Sequence, residues 1–108
     1  MSATTHELNG WTILVSGTRL DAGEAPSFER EAAAIAGEER TKLILDLGKC
    51  EYISSAGLRS ILKVAKAARN GGGEVRVAGL RGLALEVFTI SGFDKIILSF
   101  DSVSSAAA

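Results

Sequence analysis

Two adjacent serines, Ser54 and Ser55, stand where an apolar run and its loop give way to a helical pattern, within the stretch Leu43 to Arg59. The first turn of a helix leaves backbone N–H groups without intrahelical partners and carries the positive end of the helix dipole. It therefore tolerates an anionic group on a small hydroxyl side chain. Phosphorylation is the chemistry this placement suits, because a phosphate adds about −1.5 to −2 charges and at a helix N-terminus need not unfold the domain. A docked partner that had covered the serine would meet repulsion and desolvation instead, and a penalty of about 3 kcal/mol weakens binding roughly a hundredfold. The competing role is structural. Serine is a preferred N-cap whose oxygen accepts from the N–H of the second or third helical residue, and Gly57 suits a tight helix start in either case.

Other chemistries find little support. The single histidine, His6, lies in an N-terminal strand pattern, no G-x-S-x-G elbow surrounds the serines, and no base is identifiable to activate them. No catalytic residue and no enzymatic activity are expected. One cysteine, Cys50, cannot form an internal disulfide, and the absence of a Cys/His cluster leaves no expected metal or cofactor. Cys50 reads as a semi-buried small apolar residue rather than a reactive thiol, with Lys49 its only neighbouring cation. Gly71-Gly72-Gly73 follows a helix and opens a strand, the reverse of a phosphate loop, and so is a helix stop. A response-regulator receiver would need an acidic pair after an early strand and an acceptor aspartate at the end of the middle one. Here the early strand ends in Ser16-Gly17-Thr18, and Asp46 lies one residue too deep.

The elements that must position the serines are legible from periodicity. Asn9-Gly10 is a strong turn signal before the β-forming run Trp11 to Gly17, which predicts a hairpin from about Thr4 to Thr18. Ala25, Phe28, Ala32 and Ile35 fall at helical spacing, with Pro26 tolerable in the first turn and Gly37 as a stop. They predict a helix over Ala25 to Ala36 with Glu24, Glu29 and Glu31 outward. Lys42 to Leu47 is a nearly continuous apolar run, expected as a central strand covered on both faces. Leu58, Ile61, Leu62, Ala65 and Ala68 mark the packing face of a second helix, and Arg59, Lys63, Lys66 and Asn70 its wet face. Glu74 to Ala78 alternates like a strand. Leu80, Leu83, Ala84 and Val87 form a third helical stripe ending near Ser91-Gly92, and Lys95 to Leu98 is expected as a last strand. The tail from Asp101 to Ala108 offers few anchoring side chains, so a frayed helical turn or disorder is expected there.

Length and charge bound the rest. The 108 residues suffice for one core and not two. Twelve Lys and Arg balance thirteen Asp and Glu, and a net charge of −1 gives no drive toward nucleic acid or an anionic membrane. No run has the length of a membrane span and nothing reads as a signal peptide, so a cytoplasmic location is expected; a monomer or weak dimer is the expected state.

From Leu45-Asp46-Leu47 through Tyr52-Ile53-Ser54-Ser55-Ala56-Gly57-Leu58, with Leu20-Asp21 after the second strand and Ile90-Ser91-Gly92-Phe93 near the end, the chain resembles the STAS domain family. Within that family it is most similar to the single-domain bacterial anti-sigma factor antagonists, over nearly the whole chain and in the same element order. The resemblance implies the STAS fold: a single α/β domain over residues 1–108, its mixed β-sheet starting with an N-terminal hairpin and covered by three to four α-helices. It also implies a partner switch. The unphosphorylated antagonist binds an anti-sigma factor that is also its serine kinase and releases that factor's target; phosphorylation ends the binding, and a PP2C-type phosphatase restores it. The alternative within the family is a STAS interaction subunit of a transporter or signalling assembly, without a phospho-switch.

Many members carry Asp-Ser-Ser-Gly or Asp-Ser-Thr-Gly at the strand-to-helix junction. An ungapped match places Ser54 at the aspartate, Ser55 at the first hydroxyl residue and Ala56 at the second, so the resemblance makes Ser55 the expected acceptor and Ser54 the alternate. Asp21 matches a loop acid placed near the acceptor to orient the hydroxyl or meet the kinase; its rival role is a turn or N-cap for the first helix. The expected partner-binding set is Asp21, Ser54, Ser55, Ala56, Gly57, Arg59 and Lys63. The stripe of Arg59, Lys63 and Lys66 faces either an acidic patch on the partner or water.

Overall fold

The computed structural model describes residues 4–108. Asn9 and Gly10 both adopt left-handed backbone, φ +52° and +84°, as a two-residue hairpin turn requires. They fold β1 (Thr4–Leu8) antiparallel onto β2 (Trp11–Val15), with Leu8 opposite Trp11. β2 then pairs in parallel with β4 (Lys42–Asp46), β4 with β6 (Glu74–Ala78), and β6 with β7 (Ser99–Phe100). The sheet order is β1-β2-β4-β6-β7, so the apolar run read as the sheet centre is the middle strand.

Alternation along these strands sorts the core into two layers. Leu14, Leu43, Leu45, Val75 and Val77 face the crossover helices α1 (Ala25–Ala36), α2 (Ser55–Asn70) and α3 (Gly82–Ile90), meeting Phe28, Ala32, Ile61, Val64 and Phe88. Trp11, Ile13, Ile44 and Ala78 face the other way and are covered by α4 (Val103–Ala107) through Ala106 and Ala107. β4 is thus buried on both sides.

The structure corrects four details of the sequence reading. The expected strand Lys95–Leu98 is instead the end of a 3₁₀ turn, Phe93–Lys95, followed by an irregular segment. Ile97 from that segment plugs the main core while Ile96 and Leu98 stay exposed, and the ladder begins only where the Leu98 carbonyl accepts from the Val77 N–H at 2.9 Å. In α3 the expected core residue Leu83 is 58% exposed and Phe88 takes the buried place, edge-on to Phe93. Glu24, Glu29 and Glu31 are half-buried rather than outward.

The tail, finally, is a docked helical turn rather than a frayed or disordered end. Ser102 caps it by accepting from the Ser105 N–H. Its last carbonyls accept from Arg76 Nη1 (to Ala106, 2.7 Å) and from Asn9 Nδ2 (to Ala107, 3.3 Å). These anchors are supplied by other elements, which is why the tail's own residues did not reveal them.

One further pairing, invisible to periodicity because each partner is two residues long, positions the serines. β3 (Arg19–Leu20) runs parallel to β5 (Tyr52–Ile53) as a separate two-stranded sheet.

Candidate functional site

The β3–β5 pairing brings the loop after Leu20 against the start of α2. The Ser54 N–H donates to the Leu20 carbonyl at 3.0 Å, continuing the small sheet by one residue. Ser54 then leaves the strand with extended backbone, φ −89° and ψ 173°, as an N-cap must. Its hydroxyl accepts from the Gly57 N–H at 3.2 Å and donates to the Leu20 carbonyl at 3.4 Å. Ser54 is therefore the cap.

Ser55, the first residue of α2, is exposed, and its hydroxyl has no hydrogen-bond partner among the described residues. The two serines, ranked from the resemblance with Ser55 as the expected acceptor and Ser54 as the alternate, have separate surroundings. One hydroxyl is committed to the helix start, and the other points no bond inward and lies at the positive end of the helix dipole.

Gly57 makes this junction possible. A Cβ built there would lie 2.4 Å from the Leu20 carbonyl oxygen and 3.1 Å from Ile53 Cγ2, so only glycine lets the α2 N-terminus approach β3 this closely. Ala56 is half-buried beside it.

Asp21 follows Leu20 directly, and its carboxylate works within its own loop. Oδ1 accepts from the N–H groups of Gly23 (3.1 Å) and Glu24 (3.0 Å), and Oδ2 pairs with Arg19 Nε at 3.2 Å. The Glu24 N–H and then the Arg19 guanidinium hold this carboxyl below its ordinary value of 3.8. This is the turn role that the sequence offered as the rival reading; among the described residues neither oxygen bonds a serine hydroxyl.

Arg19 in turn lies 4.7 Å from the centre of the Tyr52 ring, so a cation, an acid and an aromatic from β3, its loop and β5 form one cluster next to the cap. Sequence reasoning missed Arg19 and Tyr52. A two-residue strand carries no periodic signal, and nothing else in the chain marks the pair.

Below the serines, Cys50 is buried and donates from Sγ to the Tyr52 carbonyl at 3.2 Å. Burial pushes its thiol up, against a smaller lowering from backbone hydrogen bonding at Tyr52 and Leu20, so it is a packed neutral group beneath the loop. Among the described residues no cluster of three His, Cys, Asp or Glu could hold a metal ion, and no helix is long and apolar enough to cross a membrane.

On the outer face of α2 the stripe is not uniform. Arg59 and Lys66 are exposed without an ionic partner among the described residues, whereas Lys63 Nζ lies 3.9 Å from Glu29 Oε2 of α1. Glu29 also accepts from the buried Ser60 hydroxyl at 2.9 Å. Ala56, Arg59 and Lys63 therefore face α1 across a shallow groove, one residue away from Ser55. The expected set is brought together from Ser54 to Lys63, with Asp21 joined to it through the backbone of Leu20.

The profile of the STAS domain matches residues 2–106. A protein of Bordetella bronchiseptica, assigned as the anti-sigma factor antagonist BtrV, is 38% identical over 108 residues, covering 100% of this chain and 93% of its own. Among solved structures, a Thermotoga maritima protein assigned as an anti-sigma factor antagonist superposes with a TM-score of 0.88 at 21% identity, over 96% of this chain and 90% of that one. The Bacillus cell fate determinant SpoIIAA in its phosphorylated form superposes with a TM-score of 0.71 at 13% identity, over 97% and 96%. The two superpositions bear on the fold.

Proposed function

The chain belongs to the STAS domain family, and from that premise we propose that it is an anti-sigma factor antagonist switched by phosphorylation of Ser55. In this reading the unphosphorylated form binds, in the cytoplasm, an anti-sigma factor that is also its serine kinase, and so frees that factor's target. Phosphorylation ends the complex and a PP2C-type phosphatase restores it. The name carried by the 38% identical relative supports the antagonist role.

The observation that carries the switch is the division of labour between the two hydroxyls. A phosphate on Ser55 would displace no bond among the described residues, because that hydroxyl makes none there, and it would sit where the dipole favours negative charge. Its effect would fall on whatever partner covers the exposed α2 terminus, which would have to desolvate or repel a doubly charged group. The family's usual aspartate is absent, yet Ser54 fills the capping role that an aspartate would fill, and the two rank alike as N-caps. Ala56, Gly57, Arg59 and Lys63 make up the rest of the contact surface in this reading, with Asp21 shaping the loop beside it.

Incubation with the cognate kinase and ATP, followed by peptide mass analysis, tests the proposal. Phosphate is expected on Ser55, lost in Ser55→Ala and retained in Ser54→Ala. The phosphorylated chain should bind the same partner about a hundredfold more weakly, the equivalent of roughly 3 kcal/mol. Transfer to neither serine, or equal affinity before and after transfer, would overturn it.

A further inference from the structure

We propose that the groove between α1 and α2 is a docking site for an acidic, amphipathic segment of a partner protein. The groove, of about 430 Å³, is lined in part by small apolar side chains, among them Ala22, Pro26, Ala33 and Ala56. That space admits a few side chains from one face of a segment rather than a whole helix, whose diameter is about 10–12 Å. Its rim is cationic. Arg30 of α1 and Arg59 and Lys63 of α2 all line it, and they come from a chain whose net charge is −1.

The one carboxylate among the described residues lining the groove, Glu29, is already engaged. It accepts from Ser60 at 2.9 Å and lies 3.9 Å from Lys63. Arg30 and Arg59 have no ionic partner among the described residues. The groove therefore presents an apolar strip with two unspent guanidinium groups, one on each wall. A segment carrying carboxylates beside small or branched apolar residues complements both features, and arginine forks suit carboxylates in particular. A basic segment would meet like charge on both sides.

The groove also couples to the switch, a step that rests on the Ser55 reading whereas the groove itself does not. Arg59 is four residues beyond Ser55, one turn along the same helix, the spacing at which side chains meet. A phosphate on Ser55 would compete in cis for Arg59 and set a negative charge at the mouth of the groove, disfavouring the same acidic occupant.

The test uses the full chain labelled with ¹⁵N and a short amphipathic helical peptide of Glu, Ala and Leu, beside a counterpart with Gln for every Glu. Saturable shifts are expected at Ala22, Ala33 and Ala56. Affinity should fall at least about fivefold for the Gln peptide and in Arg30→Glu and Arg59→Glu. It should stay unchanged in Lys66→Glu, which makes the same charge change on α2 outside the groove. The absence of saturable shifts would overturn the groove, as would equal binding of both peptides, an equal loss in Lys66→Glu, or shifts centred on α3. A chain carrying phosphoserine at position 55 should bind the Glu peptide at least about fivefold more weakly. Unchanged affinity there would overturn the coupling alone, and kinase labelling of Ser55 reports separately on the switch.

Discussion

Replacing Ser54 and Ser55 one at a time separates the cap from the acceptor. Ser54→Ala removes the oxygen that accepts from the Gly57 N–H at 3.2 Å, and Gly57 is buried, so water cannot readily take its place. Loss of an N-cap costs about 1 kcal/mol, and an orphaned buried donor pushes the value toward about 2 kcal/mol. For a domain of this size each kcal/mol lowers Tm by roughly 4 °C, so a fall of about 4–8 °C is expected, with a lower urea midpoint at unchanged slope. Ser55→Ala touches an exposed hydroxyl without a partner among the described residues and replaces it with a better helix former, so its effect should stay within about ±0.5 kcal/mol. Kinase labelling should run the opposite way, abolished in Ser55→Ala and kept in Ser54→Ala. Ser54→Asp should recover most but not all of the stability lost in Ser54→Ala, since aspartate caps as well as serine but its carboxylate cannot donate to the Leu20 carbonyl as the hydroxyl does. A Ser55→Ala variant that loses as much stability as Ser54→Ala, or a neutral Ser54→Ala, would refute the division of roles.

Gly57→Ala gains about 1 kcal/mol of helix propensity but sets a Cβ 2.4 Å from the Leu20 carbonyl oxygen, so a net loss of about 2 kcal/mol or more is expected in urea unfolding; a neutral result would mean the α2 terminus is free to shift. Asp21 has a folded-state pKa below 3.8, so its charge contributes stability above that value, lost as pH falls through the depressed folded value. The stability gap between the parent and Asp21→Asn should therefore be widest near neutral pH and close in acid, and a gap that widens in acid would contradict the hydrogen-bond assignment. Deleting residues 103–108 removes the cover of Trp11 and Ile13 and the acceptor of Arg76 at 2.7 Å. Tryptophan emission should shift to the red and Tm should fall; an unchanged spectrum would show that α4 does not cover this face.

Much of the frame was legible in the chain because it rests on local rules. Asn9-Gly10 can satisfy a left-handed turn, Lys42–Leu47 is too apolar to be anything but buried on both faces, and the spacing of Phe28, Ala32, Leu58 and Ile61 marks helix faces against a sheet. The junction at Ser54-Ser55 was visible for the same reason, as a hydroxyl pair ahead of a helical stripe. The third helix and the last strand were less legible. Leu83 and Ile96 are apolar but exposed, so hydrophobicity alone put Leu83 on the wrong face of a correctly read helix and Ile96 in a strand that does not form.

The sequence by itself determined that small hydroxyl groups would stand at a helix start, and which family's pattern that start follows. Only the tertiary structure decided which hydroxyl is spent. That choice depends on the Leu20 carbonyl, 34 residues away, which is brought in by two-residue strands too short to show any period and by a glycine without a Cβ to hold it off. The covering of Trp11 by the C-terminal turn and the pairing of α1 with α2 around Glu29 belong to the same class. They are contacts between segments distant in the chain, and local propensity, which acts over a few residues, carries no record of them.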